Sequence, residues 1–132
     1  GLLPKYTLLL SSRAPIGYLA ITEIETAINQ GYIAFLPNSY LSNHFMYLWL
    51  RRNMNIVEGS ANGSTFLEIS KSSFRNIEGV IPKEETLKVF DSIIKPIFAK
   101  ILFNLCQIQT LSSLRDMLLP KLMKGLLRAK GF

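Results

Sequence analysis

The chain has 132 residues, 15 of them basic and 9 acidic, with a hydrophobic share of 48%. That length supports one domain, or one compact unit with an appendage, and that apolar share excludes disorder. A net charge of +6 favours polyanions such as nucleic acid or anionic lipid, beside the plain reading of a basic surface.

The charge is uneven. Residues 1–81 hold six basic against five acidic side chains, and residues 82–132 hold nine against four. Cys106 is the single cysteine, which excludes an internal disulfide framework and fits a reducing cytoplasm. No apolar run reaches the roughly 18 residues of a membrane span, because "IFAKILFNLCQIQTL" is broken by Lys100, Asn104 and Gln107. No signal peptide is read at the start. The opening "GLLPKYTLLL" reads as a chain that begins inside a fold.

In chain order, "KYTLLL" is a β-prone run, closed by a turn at Pro15 and Gly17 in "SSRAPIGY". "YLAI" and "AINQGYIAFLP" read as further strands, with Gly31 a bulge or a site of close backbone approach. Ser42 reads as the N-cap of a helix to about Val57, with Phe45, Leu48, Trp49 and Ile56 at helical spacing. Gly59 and Gly63 end it and bracket a loop. Thr65 and Glu68 stand at capping-box spacing, which predicts a helical turn from Phe66. "IEGVIP" is expected as a strand stopped by Pro82.

From Lys83 the pattern becomes one long helix. Ile94, Ile97, Ile101, Leu105, Ile108, Leu111, Leu118 and Leu122 recur at steps dominated by three and four, an apolar stripe at near-heptad spacing. Pro96 and Pro120 are each expected to kink the helix or begin a new segment. The stripe calls for a partner helix, from a second copy or another part of the same chain. The fold expected is α+β: a small mixed sheet with short helices over residues 1–82, followed by a long C-terminal helix over 83–132.

Catalytic constellations are absent from the sequence. His44 has no second histidine for a metal site, Cys106 lies among apolar neighbours, and no Gly-rich loop opens a helix. "LPNSY" lacks the adjacent prolines of the Asn-Pro-Pro-Tyr motif of amino-methyltransferases. The reading is a protein that is not an enzyme and takes no cofactor.

Binding chemistry is better represented. "SSRAPIGY" offers two hydroxyls and Arg13. "AINQG" offers Asn29 and Gln30, amides able to pair bidentately with adenine. "ANGSTFLEISKSSF" offers Asn62, Ser64, Thr65 and Lys71 among its polar groups. Such groups are the usual partners of phosphate oxygens, and they are also common in turns and caps.

Taken in order, "LLPKYTLLLSSRAPIGYLAI", "TAINQGYIAFLP", "ANGSTFLEISKSSFRNI" and "LSSLRDMLLPKLMKGLL" resemble the specificity subunit of type I restriction-modification enzymes. The resemblance covers nearly the whole chain. It implies target-recognition domains that each read half of a split DNA sequence, joined by long helices packed antiparallel. It implies no catalysis by the subunit itself, which guides methyltransferase (modification) subunits and, through them, the restriction subunit. On that template residues 1–82 are the later part of one recognition domain, several dozen residues of which precede Gly1, and 83–132 are its spacer helix. The junction "PKEETL" departs from the Pro-Pro-x-x-Glu-Gln of many relatives, with Thr86 near the usual glutamine.

The leading expectation is therefore a module that binds double-stranded DNA through Arg13, Asn29, Gln30, Asn62, Ser64, Thr65 and Lys71. A second is a helix-mediated oligomerisation scaffold that recruits the modification subunit, with DNA reading mainly in a missing segment. A third, peripheral membrane binding by the basic helix, is opposed by its prolines and near-heptad stripe.

Overall fold

A computed structural model of the chain describes residues 1–63 and 67–126. The order of elements is β1 (Leu8–Ser11), β2 (Leu19–Ile21), β3 (Tyr32–Phe35), α1 (Asn43–Arg52), α2 (Met54–Gly59), α3 (Lys71–Arg75) and α4 (Glu84–Met123). The chain divides into two compact units, residues 1–93 and 94–132, so the division falls within α4.

The first unit is α+β, as expected. Its sheet has the order β2-β1-β3, with Leu8 opposite both Ile21 and Phe35 and Leu10 opposite both Leu19 and Ile33. Both pairings are antiparallel, where a mixed sheet was expected. The connections are short and contain no crossover helix, so β2 returns against β1 and β3 lies antiparallel along the other edge of β1. Strand alternation sends Leu8 and Leu10 to one face, where they are fully buried with Leu50 of α1, Val57 of α2, Ile33 and Ile69. Burial of each such side chain contributes about 1.5–3 kcal/mol.

Three polar groups fix the frame. Ser42 caps α1 as predicted, its hydroxyl accepting from the Phe45 N–H at 3.2 Å. The same hydroxyl donates to Asp91 at the other end of a 49-residue span. Phe45 and Phe90 meet edge to face nearby, with centroids 5.6 Å apart. The first turns of α4 thus belong to the first unit, where Leu87 is buried. Asn43, buried at the start of α1, donates through Nδ2 to the carbonyls of Tyr6 at 2.7 Å and Phe35 at 2.9 Å. One amide thereby joins the helix to the flanks of two strands.

Several local expectations change. The helix from Ser42 is two helices, because Asn53 closes the first: its Nδ2 and its backbone N–H both donate to the Trp49 carbonyl. Thr65 lies outside the described residues. Phe66, the expected start of the turn, lies outside them too. Glu68, the expected capping partner, forms two isolated bridges, to Arg13 and Asn62. The next described helix begins at Lys71 with Ser70 as N-cap. Ile69 and Phe74 flank that cap as a hydrophobic staple would, and both join the core. The segment "IEGVIP" is not a strand. It runs along α1, where a Cβ at Gly79 would stand 2.9 Å from Cζ2 of Trp49.

In α4, neither Pro96 nor Pro120 starts a new segment; Glu84–Met123 is one helix of 40 residues. Each proline removes one N–H donor, and both sit at exposed positions, where a freed carbonyl is open to solvent. In the second unit the predicted stripe is open to solvent. Ile97, Ile101, Leu105, Ile108, Leu111, Leu118 and Leu122 are 39–64% exposed, and Ile94 is half-buried.

Candidate nucleic-acid interface

The expected binding segments meet at one end of the sheet. Ser12, just past β1, is held on both sides by its backbone. Its N–H donates to the Gly31 carbonyl at 2.8 Å, and its carbonyl accepts from the Ile69 N–H at 3.0 Å. The next residue, Arg13, bridges Glu68, and Glu68 in turn exchanges two 3.0 Å backbone bonds with Asn62. Three stretches distant in sequence therefore converge at Ser12 and Arg13. Main-chain pairing does this, so it depends little on which side chains are carried.

The turn that displays Arg13 is closed from below by Ser11. Its buried hydroxyl donates to the Pro15 carbonyl at 2.8 Å and accepts from the Tyr18 N–H at 2.8 Å. Its own N–H reaches the Tyr18 carbonyl at 2.9 Å. Ala14 has φ +54° and Gly17 φ +106°, the left-handed values a tight reversal demands. Gly17 also lies close to α2, where a Cβ would approach Met54 Sδ to 3.2 Å.

The two hydroxyls of "SSRAPIGY" do not face outward. Ser11 is consumed within the turn, and Ser12 Oγ is buried with no hydrogen-bond partner among the described residues. Arg13 is exposed and makes no ion pair among them. Asn29 and Gln30 are exposed where the chain enters β3. The Asn29 side-chain oxygen Oδ1 accepts from the Gly31 N–H at 2.9 Å, a local turn of the kind Asn favours. Gly31 is buried and is indeed a close-approach site: a Cβ there would lie 3.1 Å from Asn29 Oδ1 and 3.4 Å from Arg13 Nε.

On the third stretch, Asn62 and Lys71 are exposed, while Ser64 and Thr65 lie outside the described residues. Asn62 Nδ2 reaches Ser73 Oγ at 3.5 Å, a long and weak contact. Ser70 Oγ lies 2.7 Å from Ser72 Oγ and 2.8 Å from Ser73 Oγ, so these hydroxyls serve one another and the helix cap. Sequence reasoning missed Ser11 and Ser70 as the residues that shape the site. The Ile69–Phe74 spacing around Ser70 was the available signal for the second.

Beside the junction, the sheet face opposite the helices carries an apolar concavity of about 380 Å³. Leu9, Tyr18, Ala20, Ile28, Asn29 and Tyr32 are among the residues lining it. Among the described residues no cluster of His, Cys, Asp and Glu could hold a metal ion, and no helix is long and apolar enough to cross a membrane.

Comparison with known proteins fits this arrangement. Residues 2–112 match the family described as type I restriction modification DNA specificity domain. The chain is 28% identical over 126 residues to the type I restriction enzyme HindI specificity subunit of Haemophilus influenzae, covering 93% of this chain and 28% of that protein. It is 36% identical over 107 residues to the MjaIX specificity subunit of Methanocaldococcus jannaschii, covering 80% of this chain and 24% of that protein. The chain thus spans about a quarter of the length of these relatives. With the match running from β1 through most of α4, the chain belongs to the type I restriction modification DNA specificity domain family.

Proposed function

We propose that this chain is part of a non-catalytic specificity subunit that reads one half of a split DNA target. The match of residues 2–112 to the family carries this reading, and both relatives are named specificity subunits. Residues 1–82 act as the DNA-reading part and 83–132 as the spacer. Double-stranded DNA meets the end of the sheet where Arg13, Asn29, Gln30, Asn62 and Lys71 are exposed; Ser64 and Thr65, between Asn62 and Lys71 in sequence, belong to the same proposal. Methyltransferase subunits, and through them the restriction subunit, are the protein partners. The chain itself supplies no catalytic group and no cofactor, and it works in the cytoplasm.

Phosphate contacts by exposed cations make binding depend on salt, because each neutralised phosphate releases condensed counterion. Log affinity for a duplex is expected to fall linearly with log salt, by about 0.9 per phosphate contacted. Affinity that is flat from low to moderate salt would refute this binding mode.

The exposed stripe from Ile97 to Leu122 favours a second role for the same chain, as a scaffold. The helix pairs with a partner helix and offers another surface to the modification subunit. Gel filtration with and without residues 83–132 tests this role. The longer form is expected to self-associate, and a monomer in both cases rules it out.

A further inference from the structure

Three observations at the junction divide the labour among residues that the sequence presents as equals. First, the Asn29 side-chain oxygen is held by the turn. Bidentate pairing with adenine needs the side-chain oxygen and the NH₂ group to face the base edge together. Here Oδ1 already accepts from the Gly31 N–H at 2.9 Å, which ties the amide plane to the local turn.

Second, Asn29 and Arg13 converge on the bare Cα of Gly31. A Cβ at Gly31 would meet Asn29 Oδ1 at 3.1 Å, Arg13 Nε at 3.4 Å and Arg13 Cγ at 3.8 Å. The arginine stem therefore lies along a flat backbone surface whose peptide orientation Asn29 holds. Third, the Arg13 backbone is fixed by the Ser12 hydrogen bonds to Gly31 and Ile69 and by the bridge to Glu68. Its guanidinium has no ion-pair partner among the described residues.

A phosphate contact tolerates a loosely held cation, because attraction to a point charge is weakly directional. A planar fork that must meet two acceptors on one guanine edge needs a fixed approach. We propose that Arg13 is a specificity-determining residue, and that Asn29 and Gly31 are positioning residues that act on DNA only through Arg13. The proposal rests on the DNA-reading function above.

The test is a double-mutant cycle in the full-length protein that carries this chain. A pool of random-sequence duplexes is first enriched on the wild-type protein. The enriched duplex and a shuffled duplex are then compared by fluorescence anisotropy. Arg13→Ala is expected to weaken the enriched duplex about 10- to 100-fold, the range of one bidentate base contact, and the shuffled duplex far less. Asn29→Ala is expected to weaken the enriched duplex several-fold in the wild-type background. In the Arg13→Ala background its effect falls within about twofold, since residues acting as a unit do not add.

Gly31→Ala is a second variant with the same expectation. Gly31 does not occupy the left-handed region, so alanine alters the surface under Arg13 without demanding a new backbone. Thermal melts of each variant keep loss of folding separate from loss of binding. Three results would overturn the proposal: an equal Asn29→Ala effect in both backgrounds, no effect in either, or an Arg13→Ala loss that is uniform across the two duplexes. A wild-type protein that enriches no sequence from the pool would instead remove the DNA-reading function beneath it.

Discussion

Replacing Ser11 by alanine tests whether the turn that displays Arg13 is a built feature or an incidental one. The Ser11 hydroxyl makes two 2.8 Å bonds, one to the Pro15 carbonyl and one from the Tyr18 N–H. Each intramolecular hydrogen bond contributes about 0.5–1.5 kcal/mol net. Pro15 and Tyr18 are exposed residues, so water recovers part of the loss and keeps the total near 1.5 kcal/mol. In a compact unit of residues 1–93 that lowers the melting midpoint by about 6–12 °C.

Circular dichroism melts give the shift, and amide hydrogen exchange locates it. The Tyr18 amide should lose protection, because Ser11 Oγ is its acceptor. The amides between β1 and β3 should keep theirs, because that ladder is made by the main chain. An unchanged melt with a protected Tyr18 amide would mean that the hydroxyl neither holds the turn nor sets how Arg13 is presented.

Other substitutions probe the frame. Leu10→Ala empties a fully buried position facing Ile33 and Leu19 and should cost about 2–5 kcal/mol in urea denaturation. Asn43→Ala removes the donor shared by the Tyr6 and Phe35 carbonyls; a loss of about 1–3 kcal/mol is expected by the same measurement. Gly79→Ala places a Cβ 2.9 Å from the Trp49 ring, so it should destabilise by about 1–3 kcal/mol and shift tryptophan fluorescence, both absent if "IEGVIP" does not pack on α1. Charged residues at Ile101 and Ile108, both exposed on α4, should abolish self-association in gel filtration while leaving the midpoint of the first unit within about 0.5 kcal/mol.

The elements with strong local signals were legible. Apolar β-branched and leucine runs placed all three strands, and Ser42 before a periodic segment placed α1 with its cap. The long stripe placed α4, whose start at Glu84 lies within one residue of the expected Lys83 and which runs to Met123. What failed was decided by competition at a distance. The "IEGVIP" segment has strand composition, but it packs on Trp49 and joins no sheet edge. The described helix after this loop starts at Lys71 under Ser70, since Glu68 exchanges main-chain hydrogen bonds with Asn62. Of the two outcomes expected at Pro96 and Pro120, a new segment does not occur, since both lie inside one helix at exposed positions.

The site was half legible for the same reason. Composition marked Arg13, Asn29, Gln30, Asn62 and Lys71 as polar groups near turns, and all are exposed. It could not show that Asn29 is turned to Gly31 or that both serine hydroxyls before Arg13 face inward. Those facts depend on which backbone groups come together, which one-dimensional spacing does not encode.

The junction at Ser12 also bears on how such a surface changes over time. Its three stretches are joined by N–H and C=O groups of Ser12, Gly31, Asn62, Glu68 and Ile69, chemistry that every residue but proline carries. The exposed side chains of Arg13 and Gln30 take no part in that main-chain pairing, so they can be exchanged without altering what holds the segments in place. Novelty in binding and persistence of the fold are thus written in different atoms. A lineage can rewrite the exposed characters while the hinge of the page stays where it is.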